Sequence, residues 1–247
     1  MHVTAHISDL HIHDPRSLRR AEAVVDYLNR AAPRSDAVLV TGDIAEHGLA
    51  AEYAQAAGLF ADMPAPVLHC PGNHDVRGPY RRGLLGLDEG DAPVNRVHEA
   101  GGVRFLLCDS VIPGEDDGEL DETTLAWLDA TLSAAPTTPA YVCFHHPPVP
   151  LGVGFVDGMR LRNGDALVTV LNRHPQVAAV LCGHAHTPAF TVLGRLPVLV
   201  APGVTSTVHL DFHAGGPIDR EAPPAVTFHI RHADSRITSH VRFVEVG

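Results

Sequence analysis

The stretch Thr4-Ala5-His6-Ile7-Ser8-Asp9-Leu10-His11 reads as a short strand that runs out into two metal-capable side chains. Val3, Ala5 and Ile7 alternate with Thr4, His6 and Ser8, the period of two expected of a half-buried strand. A carboxylate and an imidazole two residues apart, just where the strand ends, can converge on one cation. Four later strand-like segments end the same way, at Gly42-Asp43, Gly72-Asn73-His74-Asp75, His145-His146 and Gly183-His184-Ala185-His186. The sequence therefore gathers polar side chains at the carboxyl edge of a sheet, where sites form in α/β folds.

Between these strands lie helical stretches. Asp14-Pro15 supplies an N-cap acceptor and a first-turn proline, and Leu18, Ala21, Val24, Val25 and Leu28 then share one face as far as Ala31. Glu46 to Met63 carries Leu49, Tyr53, Ala56, Ala57 and Phe60 at helical spacing, until Pro64 and Pro66 stop it. Asp121 caps a helix from Glu122 to about Ala135, and Asn163 to Asn172 forms a short one. Ala37 to Val40 is a continuous apolar run, as in a strand covered on both faces. Residues 77–102 predict a surface helix and loops, and 149–162 an insertion that either caps the site or makes an oligomer contact. From Phe190 onward the chain is mostly strand: Phe190–Leu193, Leu196–Val200, Ser206–Phe212, Ala225–Arg231 and Ile237–Val244. The helix–strand alternation by itself suggests one open sheet in one α/β domain over 1–247.

The chain is 45% hydrophobic and 19% charged, with a formal charge of -11. That balance suits a folded domain and disfavours a binder of nucleic-acid polymers or anionic membranes, both of which need a basic footprint. Cys70, Cys108, Cys143 and Cys182 form no CxxC pair and sit in or just beyond apolar runs, so they predict buried thiols in a reducing compartment. With no secretory h-region and no run of 18 apolar residues, the expectation is a cytoplasmic protein without a membrane span.

Taken singly, the polar residues have ordinary explanations. Asp43 could cap a helix, and Gly72-Asn73 could be a tight turn. Occurring together, they favour a metal centre. Histidine and carboxylate oxygen suit Mn, Fe, Zn or Co, and a carboxylate between two cations can bridge them at about 3.5–4 Å.

In this order the five motifs resemble the calcineurin-like metallophosphoesterase superfamily. With Asp109-Ser110-Val111-Ile112-Pro113-Gly114, His145-His146-Pro147-Pro148 and Leu161-Arg162-Asn163, the chain is similar to its bacterial cyclic-nucleotide and glycerophosphodiester phosphodiesterase group over residues 3–210. The resemblance implies a four-layer α/β/β/α sandwich in place of the open sheet. It implies two transition-metal ions, Fe or Mn before Zn or Co. Asp9, His11 and His186 would hold one, and Asn73, His145 and His184 the other, with Asp43 between them. His74, and with it Asn73, would meet the substrate phosphate, and His74 would serve the leaving oxygen as acid or charge stabiliser. A homodimer or larger assembly is implied as well.

The activity so implied is hydrolysis of a 3',5'-cyclic nucleotide such as cAMP by in-line attack of metal-generated hydroxide. Glycerophosphodiesters or broader phosphoesters are the alternative substrates, and a noncatalytic metal-braced module is the remote one. Discrimination falls to the loops 76–96, 111–120 and 149–162. Around this core, Asp75 would orient His74 or cap a helix, and His146 would support His145. His209 is a weak candidate for the pocket wall. Arg160 and Arg162 could meet substrate or a neighbouring subunit, and Glu115 to Glu119 reads as a solvated turn.

Overall fold

The computed structural model describes residues 1–31 and 34–247. Its elements run β1 (His2–Ile7), α1 (Pro15–Ala31), β2 (Ala37–Thr41), α2 (Ala50–Phe60), β3 (Val67–Cys70), α3 (Arg77–Leu85), β4 (Arg96–Ala100), β5 (Val103–Leu107), α4 (Glu122–Ser133), β6 (Ala140–Cys143), α5 (Gly154–Asp157) and α6 (Gly164–Leu171). The strand-rich remainder holds β7 (Val177–Cys182), β8 (Ala189–Leu193), β9 (Leu196–Val200), β10 (Thr207–Val208), β11 (Ile218–Asp219), β12 (Ala225–Arg231) and β13 (Ile237–Phe243).

Two large sheets result, one ordered β13-β12-β1-β2-β3 and the other β4-β5-β6-β7-β9-β8, and β10 pairs with β11 in a separate two-stranded ribbon. Strands β1, β2 and β3 run parallel, as do β5, β6, β7 and β9. The antiparallel β12 and β13 extend the first sheet, and β4 and β8 edge the second.

Successive side chains of a strand point to opposite faces, and this sorts the apolar residues into separate cores. In β2, Val38 and Val40 pack towards α1, α2 and α3, while Ala37 and Leu39 face the second sheet. In β5, Phe105 and Leu107 face the first sheet, and Leu106 packs under α4 and α6. Tyr141 and Cys143 of β6, and Ala179 and Leu181 of β7, complete the seam between the sheets. The layers are therefore helices, sheet, sheet, helices. The continuous apolar runs are buried on both faces, and the one-open-sheet expectation gives way to a sandwich.

Local signals fare well where burial backs them. Asp14 Oδ1 accepts the Ser17 N–H at 2.7 Å, and Asp121 Oδ1 accepts that of Thr124 at 2.7 Å, so both predicted N-caps form. The helix expected from Glu46 begins only at Ala50. The backbone there is used otherwise: the N–H groups of Ile44 and Ala45 go to the Asp75 carboxylate, and that of Glu46 to Ile12 O at 3.4 Å. Strand β4 lies inside the stretch expected to be helix and loops; as an edge strand with its middle residues exposed, it has no apolar alternation to announce it. The strand expected over Ser206–Phe212 shortens to two residues, because the chain turns back at Leu210, whose carbonyl accepts the His213 N–H at 2.8 Å. The segment 149–162 carries α5 and buries Val153, Val156 and Leu161 in the core that α4 and α6 cover.

Candidate metal centre

Every motif residue named from the sequence lies at or just beyond a strand end, on one edge of the sandwich. Asp9 and His11 follow β1, Asp43 follows β2 and Asn73 and His74 follow β3; His145 follows β6, and His184 and His186 follow β7. Both sheets thus contribute. Five of these residues have left-handed backbones: Asp9 (φ 56), His11 (φ 46), Asp43 (φ 50), His184 (φ 67) and His186 (φ 52). Asp and His tolerate this region better than bulkier residues, though each such angle still costs free energy that the surroundings must offset. The loops are cross-braced to hold it. Asp9 N–H donates to Gly42 O at 3.1 Å, His11 N–H to Asp43 O at 2.9 Å, and Gly183 N–H to His145 O at 2.9 Å.

Asp43 occupies the middle of the donors. Its Oδ2 is 3.2 Å from His145 Nε2 and 3.5 Å from His11 Nε2. On one side, His11 Nε2 lies 3.2 Å from His186 Nε2, which is 3.5 Å from Asp9 Oδ1. On the other, His145 Nε2 lies 3.2 Å from His184 Nδ1. The Asn73 Oδ1 is buried without a hydrogen-bond partner. Such a set of closely packed acceptors, with an orphaned amide oxygen beside it, fits borderline divalent cations and lacks the thiolates that softer metals select.

The far nitrogen of each of three imidazoles is fixed, which turns the near one inward. His11 Nδ1 meets Glu46 Oε2 at 2.5 Å, His145 Nδ1 donates to Thr41 O at 2.6 Å, and His186 Nδ1 meets Ser206 Oγ at 2.8 Å. Such outer partners set tautomer and orientation in metal sites. His74 Nδ1 donates to Glu46 O at 2.9 Å, which leaves Nε2 free, and its backbone N–H donates to Asp43 Oδ1 at 2.9 Å.

Electrostatics agree with a site that holds protons until cations replace them. Burial raises Asp9 to about 6, with the Asp43 charge adding to the rise. Burial would raise Asp43 too, but the charge and hydrogen bond of His145 outweigh it and hold Asp43 well below the carboxylate range. His145 is held up at about 9: burial opposes its charge, and Asp43 and Asp9 overcome that. Burial takes His184 to about 3 and His186 to about 4, so both are neutral and able to ligate. The hydrogen bond from His11 lowers Glu46 to about 2.

Several supporting residues escape a sequence reading. Glu46, three positions after Asp43, looks like the start of a helix, and nothing in the pattern ties Ser206 to His186. Asp75 neither orients His74 nor caps a helix. Its carboxylate accepts from Gly72 N at 2.9 Å, Ile44 N at 3.2 Å, Ala45 N at 3.1 Å and Tyr53 Oη at 3.1 Å, fastening the second and third loops together. His146 is fully buried beside His145, with Nδ1 2.8 Å from Ser110 Oγ.

A cleft of about 340 Å³ opens over the centre, and His11, Asp43, Asn73, His74, His184 and His186 line its polar side. Asp116, Phe155 and Met159 come from the expected loops, while Arg16, Ser206, Val208, Ile218 and Arg220 come from segments the sequence did not single out. His209 is absent from the lining, contrary to expectation: its Nδ1 meets Gly216 O at 3.0 Å and its ring stacks on His213 at 5.4 Å. Arg160 and Arg162 are absent too. Arg162 pairs with Asp117 and Glu115, and Arg160 donates to Asp157 O at 2.7 Å.

Residues 2–188 match the family model described as calcineurin-like phosphoesterase. A probable cyclic nucleotide phosphodiesterase of Rhodococcus erythropolis is 32% identical, over 89% of this chain and 76% of its own length. A glycerophosphodiester phosphodiesterase of Enterobacter lignolyticus is also 32% identical, over 91% and 85%. A 3',5'-cyclic adenosine monophosphate phosphodiesterase of Pseudomonas aeruginosa is 33% identical, over 91% and 80%. Among solved structures, a dimetal phosphatase from Danio rerio superposes with a TM-score of 0.72 at 16% identity, covering 99% of both chains, a likeness of fold. This chain belongs to the calcineurin-like phosphoesterase family.

Proposed function

We propose that the protein is a metal-dependent phosphodiesterase that hydrolyses 3',5'-cyclic nucleotides, cAMP among them, to the monoester. One observation carries the metal-dependent part of this reading: Asp43 Oδ2 stands within 3.5 Å of imidazole nitrogens belonging to two separate donor sets, as a carboxylate shared by two cations would. The cyclic-nucleotide part is supported by the relatives of that name at 32% and 33% identity. A dinuclear divalent-metal site is a property of the family, and the donors fit it. Asp9, His11 and His186 would hold one ion and Asn73, His145 and His184 the other, with Asp43 shared. Fe and Mn are the ions we propose, and the same donors accept Zn and Co. When bound, the pair supplies Lewis acidity to the phosphoryl oxygens and a water-derived nucleophile at neutral pH.

The chain's own groups do the rest. Asn73 and His74 follow one another at the end of β3, so a phosphate held at Asn73 comes within reach of the His74 ring. His74 Nδ1 is committed to the Glu46 carbonyl, and Nε2 is therefore the atom that can protonate or stabilise a leaving alkoxide. Burial lowers the His74 pKa, but the Asp43 charge and the contacts with Glu46 overcome that and raise it, which favours the proton-bearing form.

A glycerophosphodiester reading is favoured by the relatives of that name at 32% and 30% identity. The four cysteines are buried and free, which accords with a reducing cytoplasm, and no helix among the described residues is long and apolar enough to cross a membrane. We include a homodimer in the proposal, for which light scattering is the test. After reconstitution with Mn or Fe, kcat/KM on cAMP, glycerophosphocholine and a phosphomonoester decides the substrate: cAMP should lead, and a clear preference for either of the others ends the cyclic-nucleotide reading.

A further inference from the structure

The cleft has two unlike sides. Opposite in character to the donor-rich floor are Phe155, Met159, Val208 and Ile218, and of these Phe155 and Ile218 remain 47% and 43% exposed. Exposed apolar side chains scattered over a surface need no explanation, whereas several gathered on the wall of a polar cleft do. The turn that presents Phe155 is also fixed from two directions. The Asp157 carboxylate accepts the N–H groups of Leu151 at 2.6 Å, Gly152 at 3.0 Å and Val153 at 3.2 Å, and both oxygens of Asp211 lie 3.1 Å from Gly154 N. Val153 and Val156 anchor the same turn in the core beneath. Phe155 is thus held out over the metal-donor cleft by a braced backbone.

Resting on the phosphodiesterase reading above, we propose that this apolar wall is the nucleobase subsite, with the Phe155 ring as its stacking platform and Met159, Val208 and Ile218 as its edge. The chemistry of the wall separates the candidate leaving groups. Glycerol offers only hydroxyls and would leave Phe155 and Ile218 facing water. A choline head group needs an aromatic cage, and Phe155 is the one aromatic ring other than histidine among the described residues lining the cleft. A purine has the flat face that a phenyl ring accepts, and the guanidinium of the exposed Arg220 can meet the acceptor edge or face of such a base.

The test uses the metal-loaded full chain with two substrates, cAMP and the corresponding cyclic ribose phosphate carrying a methoxy group in place of the base. For Phe155→Ala the ratio of kcat/KM for cAMP to that for the base-free ester should fall roughly tenfold or more, the scale alanine substitution gives for a stacked base. Phe155→Tyr should restore the ratio. Calorimetric binding of AMP to the same three proteins should weaken and recover in parallel, which supplies a readout independent of turnover. An unchanged ratio and unchanged AMP affinity in Phe155→Ala overturn the subsite, even if cAMP is a good substrate. A wild-type enzyme that cleaves the base-free ester as well as cAMP overturns it too, and one that cleaves neither but takes glycerophosphocholine removes the substrate reading on which it stands.

Discussion

The Glu46 carboxylate lies 2.5 Å from Nδ1 of His11, so the imidazole that would ligate one cation is clamped from behind by a full negative charge. Glu46→Gln keeps the size and loses the charge. It should weaken binding of the first cation by about 10–100-fold, the usual effect of losing an outer-sphere partner. Metal titration against a competing chelator checks this, and unchanged affinity would show that the clamp is idle.

His74→Ala should keep two cations per chain and lower kcat by about 10²- to 10⁴-fold, the range for a positioned proton donor. Metal analysis beside steady-state kinetics reads both at once. Turnover within about threefold of wild type would remove His74 from any role at the leaving oxygen.

Cation binding should be proton-linked. In the free protein His145 keeps a proton up to about pH 9, and that proton must leave before Nε2 can ligate. Apparent affinity for the second cation should therefore drop about tenfold per pH unit from 8.5 to 6.5. Below about pH 6, where Asp9 takes up a proton, affinity for the first cation should fall as well. Chelator competition across that range measures the slope, and a flat profile would contradict the electrostatic account.

Behind β1, His6 Nδ1 and His229 Nε2 are 3.0 Å apart in full burial, and burial lowers His229 to about 3. The folded-state pKa lies below the unfolded value near 6.5, so protons bind the unfolded chain first. The stability this group contributes is complete above pH 6.5 and is lost as pH falls towards 3. At pH 5.5 the loss amounts to about 1.4 kcal/mol. In chelator-treated protein, urea unfolding of wild type and His229→Gln should show their stability difference shrinking by that amount between pH 7.5 and 5.5.

Gly72 packs against Asp43 so closely that a Cβ would collide with its Oδ1 and lie 2.5 Å from its backbone nitrogen. Gly72→Ala should push Asp43 out of place and cut occupancy of both metal positions, while circular dichroism still reports a folded sandwich. Full occupancy in this variant would mean that the third loop can yield without cost to the second.

The sequence displays the donor set well because strands bury alternate residues and then stop. Val38 and Val40 belong to one core, Leu39 to another, and Asp43 follows where the apolar run gives out. What it cannot display is which loops face one another. The pairing of His186 with Ser206 depends on β8 and β9 making an excursion and returning, and the clamp of Glu46 on His11 depends on two strands lying side by side. Glu46 is also a good helix residue in an alanine-rich stretch, so local propensity pointed away from its observed place. Arg96–Ala100 shows the opposite limit, since an exposed edge strand has no buried face to impose a pattern.

Because Asp9, His11, Asp43 and Asn73 hang from one sheet and His145, His184 and His186 from the other, any ion pair lodged between them acts as a rivet through the seam of the sandwich. Stripping it out would leave the seam to its apolar filling, in which Leu39, Leu68, Phe105, Leu107, Tyr141 and Leu181 are the larger pieces, and to cross-loop hydrogen bonds such as that from His145 Nδ1 to Thr41 O. The chelated protein should then melt earlier.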